Sequence, residues 1–195
     1  MRIIAGSLKA KKIEGPKTDK TRPTLDRVKE ALFSIIMSKI DNADVLDLFS
    51  GTGNLAIESI SRGAKFALIN DDKNICISTI LNNIKLTNLQ NYVKITKRDY
   101  TKCLEKIIKD EMSFDIIFLD PPYDTMYGIN TLKIISQNKN KVLKSDGIIV
   151  YETDKAFVNK IQKKNKNIFD DFENLECFDE RTYGTVILKL YKWRD

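Results

Sequence analysis

The sequence predicts a doubly wound α/β domain with a mostly parallel sheet, on three observations. From residue 45 onward, short apolar runs alternate with stretches of helical periodicity. The runs are almost continuously hydrophobic, as strands covered on both faces are. The chain then closes on two consecutive strand-like segments, 176–183 and 185–192, with Gly184 between them as a turn or bulge. A closing strand pair, in place of another strand–helix unit, adds an antiparallel edge.

Residues 1–40 differ from the rest. Arg2–Ala5 and Lys11–Glu14 read as a short hairpin around the turn at Gly6-Ser7, and Gly15-Pro16 with the polar run to Arg22 as a loop. Thr24 is placed to cap a helix that carries Leu25, Val28, Leu32 and Ile35/Ile36 on one face, with Arg27 and Lys29 opposite. The remainder yields strands at 45–49, 66–70, 92–96, 114–120 and 147–152, and helices near 54–62, 72–87, 101–109 and 129–138. The chain thus divides into an N-terminal extension over 1–40 and an α/β domain over 41–195.

Composition narrows the chemistry. Of 195 residues, 42% are apolar and 31% charged, enough for a real core. There is no histidine, which excludes Ser-His-Asp, Cys-His and His-ligated metal chemistry. Catalysis falls to carboxylates, backbone groups, thiols, aromatics or a bound cofactor, and no metal is expected. Cys76, Cys103 and Cys177 lie far apart without a CxxC pair, a reduced, intracellular usage. No apolar stretch of about 18 residues exists to span a membrane, and the N-terminus lacks a signal-peptide core. A cytoplasmic monomer is expected.

The net charge of +6 sits entirely in residues 1–40, with 10 Lys+Arg against 4 Asp+Glu; residues 41–195 carry 23 of each. One basic end on a neutral domain fits either an anionic partner or a solubilising tail.

Two motifs carry chemistry. In Asp47-Leu48-Phe49-Ser50-Gly51-Thr52-Gly53-Asn54-Leu55-Ala56 a strand runs through a glycine turn into a helix, where the backbone can approach a ligand closely. Gly51-x-Gly53-x-x-Ala56 with Asp71 twenty residues on also fits the dinucleotide pattern, so the glycines alone do not separate a nicotinamide cofactor from S-adenosylmethionine. Asp47 and the pair Asp71-Asp72, at adjacent strand ends, are placed to take an ammonium and ribose hydroxyls. The second motif is Asp120-Pro121-Pro122-Tyr123 after the strand FDIIFL. Two prolines stiffen the path and hold Asp120 at the carboxyl edge of the sheet. Asp120 and the Pro121 carbonyl can accept both N–H bonds of an exocyclic amine while Tyr123 stacks on its ring. Such a site needs no histidine.

Together the motifs resemble class I S-adenosylmethionine-dependent methyltransferases that act on amino groups. The fuller set is Met1-Arg2-Ile3-Ile4-Ala5-Gly6, Thr21-Arg22-Pro23-Thr24, Asp26-Arg27-Val28-Lys29-Glu30-Ala31-Leu32-Phe33, Asp47–Leu55, Ser61-Arg62-Gly63-Ala64, Asp120–Tyr123 and Tyr183-Gly184. It resembles the bacterial 16S ribosomal RNA guanine-N2 methyltransferase family over essentially the whole chain. The resemblance implies a Rossmann-like class I fold and methyl transfer from S-adenosylmethionine to a guanine N2 in small-subunit rRNA, within an assembly particle. It implies cofactor contacts at Asp47, Phe49, Gly51, Gly53 and Asp99, the last facing the adenine amine. Where the family has an acidic residue at the end of the second strand this chain has Asn70, so the ribose falls to Asn70 or to Asp71. The basic extension then gains a role, with Lys9, Lys11, Lys12, Lys17, Lys20, Arg22 and Arg27 expected on RNA phosphates. A DNA adenine-N6 methyltransferase is the alternative, since it shares the Asp-Pro-Pro-Tyr chemistry but ordinarily needs a further sequence-reading domain.

Overall fold

Each apolar run becomes a strand because it is short and rich in β-branched and aromatic residues, which suit a pleated buried surface better than a helix. The computed structural model describes residues 1–15 and 26–195, in two units, Met1–Cys103 and Leu104–Asp195. The predicted cap at Thr24 and the apolar contact of Leu25 lie outside the described residues.

The first unit holds α1 (Asp26–Ile35), β1 (Asp44–Asp47), α2 (Asn54–Ser61), β2 (Phe66–Asp71), α3 (Asn74–Thr87) and β3 (Val93–Lys97). Its strands are parallel in the order β3-β2-β1, with Asp47 opposite Ile69 and Asp71 opposite Lys97. β1 and β2 are almost wholly buried, whereas β3 is half-exposed, as an edge strand is. The next helix, α4 (Tyr100–Lys109), runs across the division between the units.

The second unit holds β4 (Phe114–Leu119), α5 (Tyr127–Gln137), β5 (Leu143–Asp154), α6 (Lys155–Gln162), β6 (Leu175–Tyr183) and β7 (Val186–Trp193). β4 and β5 pair in parallel, and β7 then joins β5 and β6 antiparallel in the order β4-β5-β7-β6. The expected closing strand pair is present, joined at Gly184, with an irregular register between Cys177 and Asp179. This is the predicted class: a mostly parallel doubly wound sheet with an antiparallel C-terminal edge. Two features of this unit differ from the sequence reading. β5 starts four residues before the expected Gly147, and α6 was not expected at all. Its apolar face is only Phe157, Val158 and the half-buried Ile161, diluted by lysines, and Asp154 caps it through the Ala156 and Phe157 amides.

The N-terminal hairpin is slighter than expected, a single antiparallel bridge between Arg2 and Lys12. Its stability comes from docking on α2. Glu58, fully buried, accepts from the amides of Ile4 (2.8 Å) and Ala5 (3.0 Å). Ser61 accepts from the Leu8 amide and donates to the Ala5 carbonyl at 2.6 Å. At Gly6, φ is +81° and an added Cβ would overlap the Ser61 carbonyl, so only glycine permits this approach. Asn83 of α3 closes the far end, accepting from the Glu14 amide (2.7 Å) and donating to the carbonyls of Glu14 and Thr52.

Helix α1 buries Val28, Leu32 and Phe33, with Ile36 just beyond it, each stabilising by roughly 1.5–3 kcal/mol at most. Lys29 corrects the sequence reading. It was expected on the polar face beside Arg27, yet it is fully buried. Its ammonium donates to the Arg2 carbonyl (2.9 Å) and Asn54 Oδ1 (2.9 Å), and lies 3.1 Å from Glu58. Arg62 Nε joins the same carboxylate at 2.8 Å. Burial alone would raise the Glu58 carboxyl, but the Ile4 amide, Lys29 and Arg62 hold it below its ordinary value.

Candidate active site

In the first unit the glycine turn leaves β1 and enters α2. Gly51 (φ +58°) and Gly53 (φ +78°) are both left-handed, and no atom lies within 4 Å of a Cβ placed on Gly51, so its backbone faces open space. Asp71, at the end of β2, accepts from the Gly51 amide (2.9 Å) and the Lys73 amide (2.9 Å), and burial raises its pKa. Asp47, at the end of β1, is fully buried. Its Oδ2 accepts from Ser50 Oγ (2.6 Å) and the Ala56 amide (3.3 Å), while its Oδ1 is buried without a partner. Burial, reinforced by the Asp71 charge, pushes its pKa up to about 7. An orphaned acceptor beside an open glycine backbone fits a ligand that brings a cation.

The remaining residues expected at the cofactor are placed unequally. Phe49 is half-buried against Tyr100, ring centroids 5.5 Å apart. Asn70 is 1% exposed and committed to the protein. Its amide donates to the carbonyls of Leu48 (3.1 Å) and Arg98 (3.0 Å), and its Oδ1 accepts from Thr96 (2.9 Å). Of the two ribose candidates, Asp71 therefore touches the turn, while Asn70 braces the backbone beneath it. Asp99 is exposed and caps the start of α4, accepting from the Thr101 amide and hydroxyl; the Thr101 bond lowers its carboxyl.

In the second unit Asp120 follows the last residue of β4, half-buried, with Pro121 buried and Pro122 exposed. Tyr123 is half-buried, and its hydroxyl donates to Glu152 Oε1 at 2.8 Å. Glu152, 3% exposed on β5, was missed by sequence reasoning; it reads as an ordinary strand end, and only the register of β5 beside β4 reveals it. Asp124 follows in a left-handed conformation (φ +63°), paired at 2.6 Å with Lys160 of α6. The bond from Thr125 Oγ1 to the Pro122 carbonyl (2.7 Å) tightens the same turn. The result is a half-buried carboxylate at the end of β4, followed by a ring held at its hydroxyl.

Of the residues expected at RNA, Lys9, Lys12 and Arg27 are exposed and Lys11 half-buried. Lys17, Lys20 and Arg22 lie outside the described residues. Among the described residues, no group of His, Cys, Asp and Glu is arranged to hold a metal ion, and no helix is long and apolar enough to cross a membrane.

Residues 1–192 match the model of a family described as conserved hypothetical protein 95. The chain belongs to that family. Among its relatives, ribosomal RNA small subunit methyltransferase D of Buchnera aphidicola is 35% identical over 167 residues, 86% of this chain and 84% of that protein. The protein of the same name from Haemophilus influenzae is 30% identical over 196 residues, covering 98% of this chain and 93% of its own length. A solved structure of the H. influenzae protein HI0767 aligns over 100% of this chain and 98% of that one, with a TM-score of 0.74 at 27% identity. The Escherichia coli protein yhhF, at 23% identity, shares the fold with a TM-score of 0.79. The family's fold is thus the class I, Rossmann-like fold that the sequence predicts.

Proposed function

We propose that this member of the family transfers a methyl group from S-adenosylmethionine to the exocyclic N2 amine of a guanine in 16S ribosomal RNA, within a small-subunit assembly particle. One observation carries the reading furthest: Asp120 on a double-proline turn, followed by an aromatic ring anchored to the buried Glu152. The names of the relatives support ribosomal RNA as the substrate class.

When bound, S-adenosylmethionine supplies an electrophilic sulfonium methyl, so the protein's work is alignment and exclusion of water. Asp47, through its unpartnered Oδ1, would take the cofactor's ammonium; the open backbone at Gly51 would lie along it, and Asp71, which accepts from the Gly51 amide, would take the ribose. The guanine must leave its stack, at about a few kcal/mol. Tyr123 stacks on it, and Asp120 and the Pro121 carbonyl accept its two N–H bonds. These bonds favour a pyramidal nitrogen whose lone pair is free to attack, and they stabilise the positive charge that develops there. The excess proton of the methylated amine would pass to Asp120 or to water.

The test is Asp120→Ala. Methyl transfer to small-subunit particles should fall by at least about 100-fold, as for loss of one preorganised electrostatic group, with cofactor affinity within a few fold of wild type. Lost cofactor binding with transfer intact removes the role assigned to Asp120.

A further inference from the structure

The second unit is close to neutral, with 15 Lys and Arg against 16 Asp and Glu, but its charge is segregated. Residues 155–169 contain Lys155, Lys160, Lys163, Lys164 and Lys166 and no acid, whereas residues 170–180 contain six acids and no base. All five lysines are exposed. They lie on α6 and the turn after it, and Phe157 and Val158 anchor the opposite face of that helix. Of these five lysines, only Lys160 has an ion-pair partner among the described residues, Asp124.

That pair places the cations. Asp124 directly follows Tyr123, so the lysine face begins 2.6 Å from the residue next to the stacking ring. The strand that bears Glu152, the partner of Tyr123, runs two residues on to Asp154, the cap of α6. Base-holding ring and lysine helix are thus fixed to one strand end. The surroundings favour a cation. Asp124 follows Tyr123 directly and Glu152 accepts from its hydroxyl, and a nucleotide extruded there arrives with a phosphate on either side of its sugar. A cationic face beside the ring offsets the repulsion between those phosphates and the nearby carboxylates.

From this arrangement we infer that α6 and its following turn form a second RNA-docking surface, distinct from residues 1–40. Lys160, Lys163 and Lys164 hold the phosphates that flank the target nucleotide, and Lys155 and Lys166 extend the track. Lys160 has two roles: it neutralises Asp124 in the free protein and exchanges that carboxylate for a phosphate when RNA arrives. The inference rests on the proposed RNA methyl transfer and adds where the strand is gripped.

The experiment compares wild type with a K160Q/K163Q/K164Q variant on small-subunit particles isolated from cells lacking this protein. KM for particles and kcat are measured across KCl concentrations, with S-adenosylmethionine affinity measured alongside. The variant should raise KM about tenfold at 150 mM salt and reduce the slope of log KM against log salt by about two, as three lost phosphate contacts require. Cofactor affinity should not move. An unchanged slope and KM, in a variant that binds cofactor normally, overturns the second surface while leaving the proposed reaction standing. If wild type itself transfers no methyl group to the particles, the proposed reaction fails, and the slope is then read from direct binding of the same particles. If the triple variant loses cofactor affinity through misfolding, the single K163Q and K164Q variants, at the solvent end of the helix, must each still lower the slope, or the inference falls.

Discussion

Asp47 is an ordinary carboxylate in the sequence and an acid titrating near 7 in the fold. The cause is full burial with one oxygen unpaired. Its folded pKa exceeds its unfolded one, so the ligand-free protein keeps a proton that the unfolded chain has lost. The resulting stability is complete below about pH 4 and disappears as pH rises through about 7. A cation docked on Asp47 reverses the preference. S-adenosylmethionine should therefore raise Tm more at pH 8 than at pH 6, and calorimetry at pH 6 should detect proton release on binding. Asp47→Asn should flatten both effects; if they persist in that variant, the ammonium docks elsewhere. Glu152 makes a second residue-scale case. Glu152→Ala removes the acceptor of the Tyr123 hydroxyl and should lower kcat/KM by about 100-fold through a misplaced ring. Glu152→Gln keeps an acceptor and should recover most of that loss, whereas equal losses in the two variants would show that the hydrogen bond does not position the ring. Asp47, Asp120 and Tyr123 were legible in the sequence because the constraint on each is local: a strand end, a glycine turn, two prolines. Glu152 was not, because its role exists only once β5 lies beside β4.

At the scale of elements, α2 joins the glycine turn at its start to the N-terminal ribbon near its end. Glu58 and Ser61 on this helix carry the ribbon, and Lys29 of α1 completes the buried charge. Removing one member of a buried pair strands the other in a medium that cannot solvate it. Glu58→Gln should therefore cost about 3–5 kcal/mol, measured by denaturant unfolding. Lys29→Met combined with Glu58→Gln should lose less than the two single variants summed; strict additivity would mean the two groups are not coupled. This pair was invisible in the sequence for a definite reason. Lys29 lies three and four positions before Leu32 and Phe33, on their buried face, but a lysine there reads as polar until its partners at Asn54 and Glu58, 25 and 29 positions later, are in place. Helix α6 escaped for the opposite reason, since its local signal is mostly lysine and its three apolar residues gain meaning only against β5.

For the whole molecule, the basic extension is both scaffold and candidate RNA arm. Its backbone is tied to α2 and α3, while Lys9 and Lys12 stay exposed. Neutralising Lys11, Lys12 and Arg22 together should raise the KM for RNA and flatten its salt dependence, with Tm nearly unchanged because the ribbon is held through backbone groups. An unchanged salt slope would leave the extension as scaffold alone. The fold class was legible from the alternation of strand and helix. Charge gave a less complete picture, because a stretch neutral on average conceals the lysine face of α6.

The ribbon's anchors also set an order of events on the ribosome. Ile4, Ala5 and Leu8 wait for Glu58 and Ser61, and Glu14 waits for Asn83, 69 positions later. The ribbon, synthesised before its partners, is therefore among the last parts of its unit to settle, since such distant closures are slow and require most of that unit to exist. Until Asn83 emerges, a strongly cationic segment is held next to the ribosome's own RNA, able to touch it before the unit that carries it is complete.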